Sequence, residues 1–395
     1  MLGDLIALDL TDLKGQFAGR ILRDLGMRVI MVEPPGGAAT RRCGPFKDDA
    51  PGDDSSLRFA FLNGGKESVT LDIGCAEGRD LLLQLSEHAD VVLESFSPGR
   101  LADLGLGYEV LRRRNPSLVV ASITGFGQYG PYSDFLASDI VGVATGGLMY
   151  ISGDASLPPV KPPETQAYYL GSMFAAYGVL LALFARERTG EGRYVDCSIQ
   201  ESVATQEHTI REAAFDGAVI ARNGSQHKNV APASVFACRD GFVYLFILGV
   251  RHWQSFLDLW TDHPPELDAE ELKTPHGRRA IASTLNPLVE QFTRRYGKEE
   301  LTALLQERGV PCLPVNSPRE FLGMEETRQR EFLGPASSQV LGDYVAPRFP
   351  AIVDGRRPAV AGGPPRCGEH NSLVFGDWLG LSPATLELLS AQGVI

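Results

Sequence analysis

The sequence predicts an α/β protein built on a parallel sheet, with a smaller α+β unit set into it. Three observations support this. Short runs rich in Val, Ile and Leu alternate with amphipathic segments through residue 125, the mark of βαβ units. A polar stretch over 205–230 separates that region from a hairpin-and-helix pattern. The tail from 335 is rich in Pro and Gly and closes in one more helix, "SPATLELLSAQG".

Taken in order, "LIALDL" is a short apolar strand, and "QFAGRILRDLG" is an amphipathic helix stopped by Gly26. "RVIMVE" is the next strand. After a Pro/Gly-rich loop come the strand "SVTLDI" and the helix "AEGRDLLLQLSEHA". The strand "DVVLES", the helical "GRLADLGLGYEVLRRRN" and the strand "LVVASIT" complete the series. Leu170, Met173, Phe174, Tyr177, Leu180, Leu181 and Phe184 recur at helical spacing and predict a core helix stopped at Gly190. "RYVDCSI" is a further strand. "SVFACRDGFVYLFIL" predicts a hairpin turning at Asp240-Gly241, followed by helices at "WQSFLDLW" and "LNPLVEQFTRR". No internal repeat is seen.

Composition excludes several classes. Hydrophobic content is 44% and charged content 22% over 395 residues, ordinary for a soluble globular protein. No apolar run reaches the ~20 residues of a membrane span. "MLGDLIALDL" lacks the basic start of a secretory signal. A net charge of −12 argues against nucleic-acid binding, which needs a basic face. The six cysteines, Cys43, Cys75, Cys197, Cys238, Cys312 and Cys367, form no CxxC pair. They read as free thiols of a reducing cytoplasm, and scattered histidines give no metal-ligand spacing.

Ligands of parallel sheets sit beyond the carboxyl ends of the strands, here at the loops "ESFSPG" and "TGFGQYGPYSD". Glu33 ends the second strand where a ribose-binding acid would stand. Yet the loop after the first strand is "TDLKGQF" and lacks the GxGxxG that cradles a dinucleotide phosphate, so an NAD site is not expected.

The stretches "DLGMRVIMVEPPGG", "NGGKESVTLDI", "ADVVLESFSPGRLADLGLGYEVLRRRNPSLVVASITGFGQYGPY", "ATGGLMYISGD", "FARERTGEGRYVDCSIQES", "GVPCLPVNSPREF" and "GEHN", in that order and spacing, resemble the class III CoA-transferase (CaiB/BaiF-like) family. That family also holds formyl-CoA transferase, acyl-CoA racemases and a carnitine-CoA enzyme. The resemblance implies a Rossmann-like large domain made from both chain ends, 1–204 with 325–395. It also implies a linker at 205–227, an inserted small domain at 228–324 and an interlocked dimer. It implies CoA or acyl-CoA as substrate, with no tightly bound cofactor. A carboxylic acid is the second substrate, and the protein partner is an identical chain or a homologue. Carried over by position, Leu71, Asp72, Ile73, Ser95, Phe96, Ser97 and Leu104 would hold CoA, and Asp139 would support the thioester end. Leu71 and Phe96 read equally as core residues, and Asp139 as a helix cap. The family's arginine before "LGLGYE" is Asp103 here, and its "NRNK" is "NGGK". Phosphate contacts are therefore sought at Arg41, Arg42 or Arg100.

In transferases that this chain resembles, the helix leading into "RERTGEG" begins with an aspartate. Its carboxylate becomes a mixed anhydride and then carries CoA as a thioester. Counting back from Arg186, that position is Tyr168. A phenol cannot carry CoA as a thioester, and with a pKa of about 10 it is a poor nucleophile at neutral pH. The racemase branch also needs a histidine where Ser138 stands, so the acid–base pair is missing. Three readings stay open. The chain is a subunit whose partner carries the aspartate, as in class III enzymes for aromatic succinate-type acids. It is self-sufficient through another acid, such as Glu164 or Asp139, or through noncovalently held CoA. Or it only binds acyl-CoA.

Overall fold

The computed structural model describes residues 2–52, 54–205, 208–358 and 362–395. The chain divides into two compact units. One comprises Met1–Met149, Lys161–Val219 and Arg328–Ile395, and the other Tyr150–Val160 and Ile220–Thr327.

The large unit is organised by six parallel strands: β1 (Ile6–Leu10), β2 (Arg28–Glu33), β3 (Glu67–Thr70), β4 (Val91–Glu94), β5 (Val119–Thr124) and β6 (Tyr194–Ser198), in the order β3-β2-β1-β4-β5-β6. Both faces are covered, which is why these strands read as near-continuous apolar runs. The period-2 alternation of a strand splits them between two cores. Ala7, Val29, Val91 and Val119 face one way, onto Leu22 and the long helix Gln166–Thr189. Leu8, Ile30, Val92 and Val120 face the other, onto Leu81, Leu85 and Phe375. The strand order reverses between β1 and β4, where such sheets open a crevice.

The long helix buries a different stripe from the expected one. Ala167, Gly171, Ala175, Val179 and Ala182 are buried, while Met173, Tyr177, Leu181 and Phe184 are exposed. The helix is apolar on nearly every side, so periodicity alone does not choose the inward stripe. Close approach does. A Cβ at Gly178 would stand 2.6 Å from Val195 Cγ1 and one at Gly171 2.8 Å from Ile199 Cγ1. This helix is also the one described element long and apolar enough to cross a membrane, contrary to the expectation that no run would be. Its small-residue stripe lies in the core, and Arg186 near its end pairs with Asp90 at 3.0 Å. Gly190, at φ 70°, stops it.

The C-terminal segment returns to the large unit. Val374 and Phe375 are buried, Ser382 caps Pro383–Ala391, and the Asp72 N–H donates to the Val394 carbonyl at 2.8 Å. The tail also forms a hairpin of β10 (Leu333–Ser338) and β11 (Gly342–Pro347).

The small unit holds an antiparallel sheet of β7 (Ala233–Cys238), β8 (Gly241–Phe246) and β9 (Cys312–Pro314). Cys238 pairs with Gly241, so the turn residues are Arg239 and Asp240, one position before the expected pair. Trp253, Phe256, Trp260 and Phe292 fill its core. The stretch expected to be a linker contains a helix, His208–Asp216; its residues 206 and 207 lie outside the described residues.

Candidate active site

The carboxyl end of β1 is fixed by a buried ion pair. Lys66 Nζ meets Asp9 Oδ2 at 2.7 Å, and both side chains are fully buried. Lys66 also donates to the Gln16 carbonyl and Asn63 Oδ1, each at 2.8 Å, and burial pushes its pKa down. A buried pair persists only when its remaining hydrogen bonds are made, and here they are. The other Asp9 oxygen accepts from the Thr11 N–H at 3.0 Å and from its hydroxyl at 2.5 Å. The lysine of "NGGK" is therefore tied to β1 inside the core.

Asp12 follows directly. Its N–H donates to Ser95 Oγ at 2.8 Å, and the Ser95 hydroxyl donates to Asp12 Oδ1 at 2.8 Å. The Lys14 N–H also donates to Oδ1, at 2.9 Å, and the Lys14 ammonium pairs with Oδ2. The Asp12 side chain remains 53% exposed.

A cleft of about 260 Å³ opens along the strand ends. It is lined by Leu10, Thr11 and Asp12 after β1, Pro34 and Ala38 after β2, Leu71, Asp72 and Ile73 after β3, and Phe96 after β4. Four residues named by the resemblance thus meet at one cleft. Leu71 is only 2% exposed and belongs to the core. Asp72 is exposed and accepts from the Gly74 N–H. Phe96 is held by its own N–H, which donates to Glu94 Oε2 at 2.7 Å; burial pushes the Glu94 carboxyl above its usual range. Ser95 reaches the cleft only through Asp12. Ser97 is exposed and Leu104 packs on the core, and neither lines the cleft.

The candidate phosphate ligands fare unevenly. Arg41 is wholly buried and bonded twice to Glu33, at 2.7 Å each, and once to Asp54 at 2.9 Å. This corrects the expectation for Arg41, which is a structural partner of Glu33. Arg42 donates to the Gly36 carbonyl at 3.1 Å. Arg100 is exposed at the start of the short helix Arg100–Asp103.

Tyr168 lies in the first turn of the long helix and is half-buried against the core. Burial, and then the charges of Asp12 and Asp139, push its phenol above the usual range. The main chain of Asp139 hydrogen-bonds to the phenol and offsets part of that rise, so the backbone partners it, whereas Glu164 is paired with Arg58. Asp139 is buried. Its Oδ1 accepts from the N–H groups of Ala167 at 2.9 Å and Tyr168 at 3.3 Å. It caps the long helix in place of Thr165, whose side chain makes no cap bond. Its Oδ2 is buried without a hydrogen bond, 3.7 Å from Lys161 Nζ. Glu164 points elsewhere, to Arg58 at 3.0 Å, and is 59% exposed. Ser138 makes no cap bond.

Asp12 is what the sequence reading passed over. The available signal was positional, since the loop after a central parallel strand faces ligand whatever its motif. Cysteines offer no alternative nucleophile in the cores, since burial pushes Cys197 and Cys238 to about 11 and Cys312 to about 12. Among the described residues no group of His, Cys, Asp and Glu suits a metal ion.

The model of CoA-transferase family III matches residues 2–371. The chain is 34% identical over 394 residues to a succinyl-CoA–D-citramalate CoA-transferase of Chloroflexus aurantiacus, covering 97% of this chain and 95% of that one. It is 30% identical over 389 residues to subunit BbsE of the succinyl-CoA:(R)-benzylsuccinate CoA-transferase of Thauera aromatica, covering 93% and 92%. Among solved structures, a CAIB/BAIF family protein from Brucella suis superposes with a TM-score of 0.85 at 28% identity, over 95% of this chain and 99% of that one. With the parallel sheet, the strand-end cleft and these matches together, the chain belongs to CoA-transferase family III.

Proposed function

We propose that this protein transfers CoA from an acyl-CoA to a carboxylic acid, and that side chain 168 does not carry the CoA. The observation that carries this is the state of Tyr168. It occupies the position the resemblance gives to the nucleophile, yet it is a phenol held protonated by burial and by two neighbouring carboxylates. Deprotonating it beside negative charge is disfavoured, and a tyrosyl ester offers no acyl carbon for CoA.

The cleft beside Leu71, Asp72, Ile73 and Phe96 takes the CoA thioester. Its mostly apolar lining suits an adenosine ring. Named relatives act on succinyl-CoA with D-citramalate, mesaconate or (R)-benzylsuccinate. Succinyl-CoA and a substituted succinate-type acid are accordingly the first substrates to offer. The two acids first considered as replacements are poorly placed, because Asp139 is spent on a helix cap and Glu164 on an exposed ion pair.

A second reading is favoured by the relative named as a subunit: this chain is half of a mixed transferase whose partner brings the aspartate. Association with a second chain in either case is supported by the exposed apolar face Met173, Tyr177, Leu181 and Phe184. Free cysteines suit a cytoplasmic setting. The test is to purify this chain alone and offer succinyl-CoA with several dicarboxylic acids, then repeat it mixed with an aspartate-bearing homologue. Transfer in either assay, unchanged by Tyr168→Phe, is expected. Transfer abolished by Tyr168→Phe would overturn the reading.

A further inference from the structure

We propose that Asp12 is the carboxylate that carries CoA in this chain. The inference rests on the CoA-transferase reading above and assigns the nucleophile within it. Three independent placements point to Asp12. It lines the strand-end cleft together with Ile73 and Phe96, so a thioester held there meets its side chain. It is half-exposed, whereas Asp139 is buried in a cap. And it faces the part of the long helix where the resemblance puts the nucleophile. Ser172, one turn after Tyr168 and on the same helix face, donates its hydroxyl to the Lys14 carbonyl at 3.0 Å. The Asp12 charge reaches the Tyr168 phenol from that loop.

The surroundings suit the role. The Ser95 hydroxyl and the Lys14 N–H hold Oδ1, which fixes the carboxylate plane. The Lys14 ammonium lies at Oδ2, where it offers positive charge to an oxyanion forming beside it.

The steps balance without any other reactant. An Asp12 oxygen attacks the thioester carbonyl. The C–S bond breaks, giving a mixed anhydride and the CoA thiolate. The thiolate attacks the Asp12 carbonyl, the donor acid leaves as its carboxylate, and Asp12 holds CoA as a thioester. The acceptor carboxylate attacks that thioester and releases the thiolate again. The thiolate attacks the acceptor carbonyl, which yields acceptor-CoA and free Asp12. In this last step one oxygen of the acceptor stays on Asp12.

The test uses the full chain with succinyl-CoA and an acceptor acid labelled with heavy oxygen. Asp12→Asn keeps the Oδ1 acceptor, so the loop is preserved. Its transfer rate should fall at least about 1,000-fold, while succinyl-CoA binding by calorimetry stays within about threefold. Peptide mapping of the wild-type chain after turnover should find heavy oxygen at Asp12, and hydroxylamine should leave a hydroxamate there. Transfer by Asp12→Asn within about tenfold of wild type, or label at another residue, would overturn the assignment. So would a wild-type chain inert alone but active with an aspartate-bearing homologue, an outcome that leaves the transferase reading standing. Inertness in both assays overturns both.

Discussion

Two carboxylates act on the Tyr168 phenol, Asp12 from the loop after β1 and Asp139 from the start of the helix Asp139–Thr145. They differ in what holds them. Asp139 is buried and gives one oxygen to two main-chain N–H groups that would otherwise be orphaned at the start of the long helix. Asp12 is held by one hydroxyl, one N–H and one ammonium, and half of its surface stays in solvent. An acid buried beneath a helix start, with one oxygen given to its main chain, is a structural part. An acid that lines a cleft and keeps half of its surface in solvent is free to react.

That contrast is open to breaking. Asp139→Ala should cost about 2 kcal/mol of stability, the upper range for losing a helix cap, read as a lowered midpoint in thermal or urea unfolding. Asp12→Asn should cost no more than about 0.5 kcal/mol in the same experiment. If the two costs came out reversed, Asp12 would be the structural acid.

Smaller effects sharpen the picture. Tyr168→Phe removes a half-buried hydroxyl and its hydrogen bond with the Asp139 main chain, so stability should fall by about 1 kcal/mol, and transfer should be retained. Glu164→Gln breaks only the exposed pair with Arg58. It should shift stability by less than about 0.5 kcal/mol and leave transfer unchanged.

The smallest effect concerns pH. Burial raises the Glu94 pKa in the folded state. The folded chain therefore holds that proton after the unfolded chain, near pH 4.3, has lost it. Stability contributed at low pH is then lost as pH rises through the folded value. Glu94→Gln should flatten that fall between the ordinary glutamate range and neutrality, measured as unfolding midpoint against pH. Asp24, also raised by burial, supplies a remainder of the same sign.

The strands of the large sheet were legible because parallel strands covered on both faces must be β-rich and apolar, as "RVIMVE" and "LVVASIT" are. The long helix was legible as a helix, but its inward face was not. Its Leu, Met and Phe stripe competes with an Ala/Gly stripe, and only packing against Val195 and Ile199 decides between them. The substitution at 168 could be counted from Arg186. The commitment of Arg41 to Glu33 could not, because a free cation and a buried one look alike in one dimension. Asp12 was hidden for a similar reason. Its worth lies in nearness to Ser95 and to the long helix, residues more than 80 positions away in the chain.

The central claim is that a CoA thioester lies at the strand-end cleft beside Phe96, where Asp12 can reach it. Calorimetric titration of the wild-type chain and of Phe96→Asp with CoA and succinyl-CoA tests this most directly. The expected result is saturable binding by the wild type and a loss of at least about tenfold in affinity for the variant, since a charge replaces an apolar wall. Binding of equal strength by both would contradict the placement and, with it, the role of Asp12.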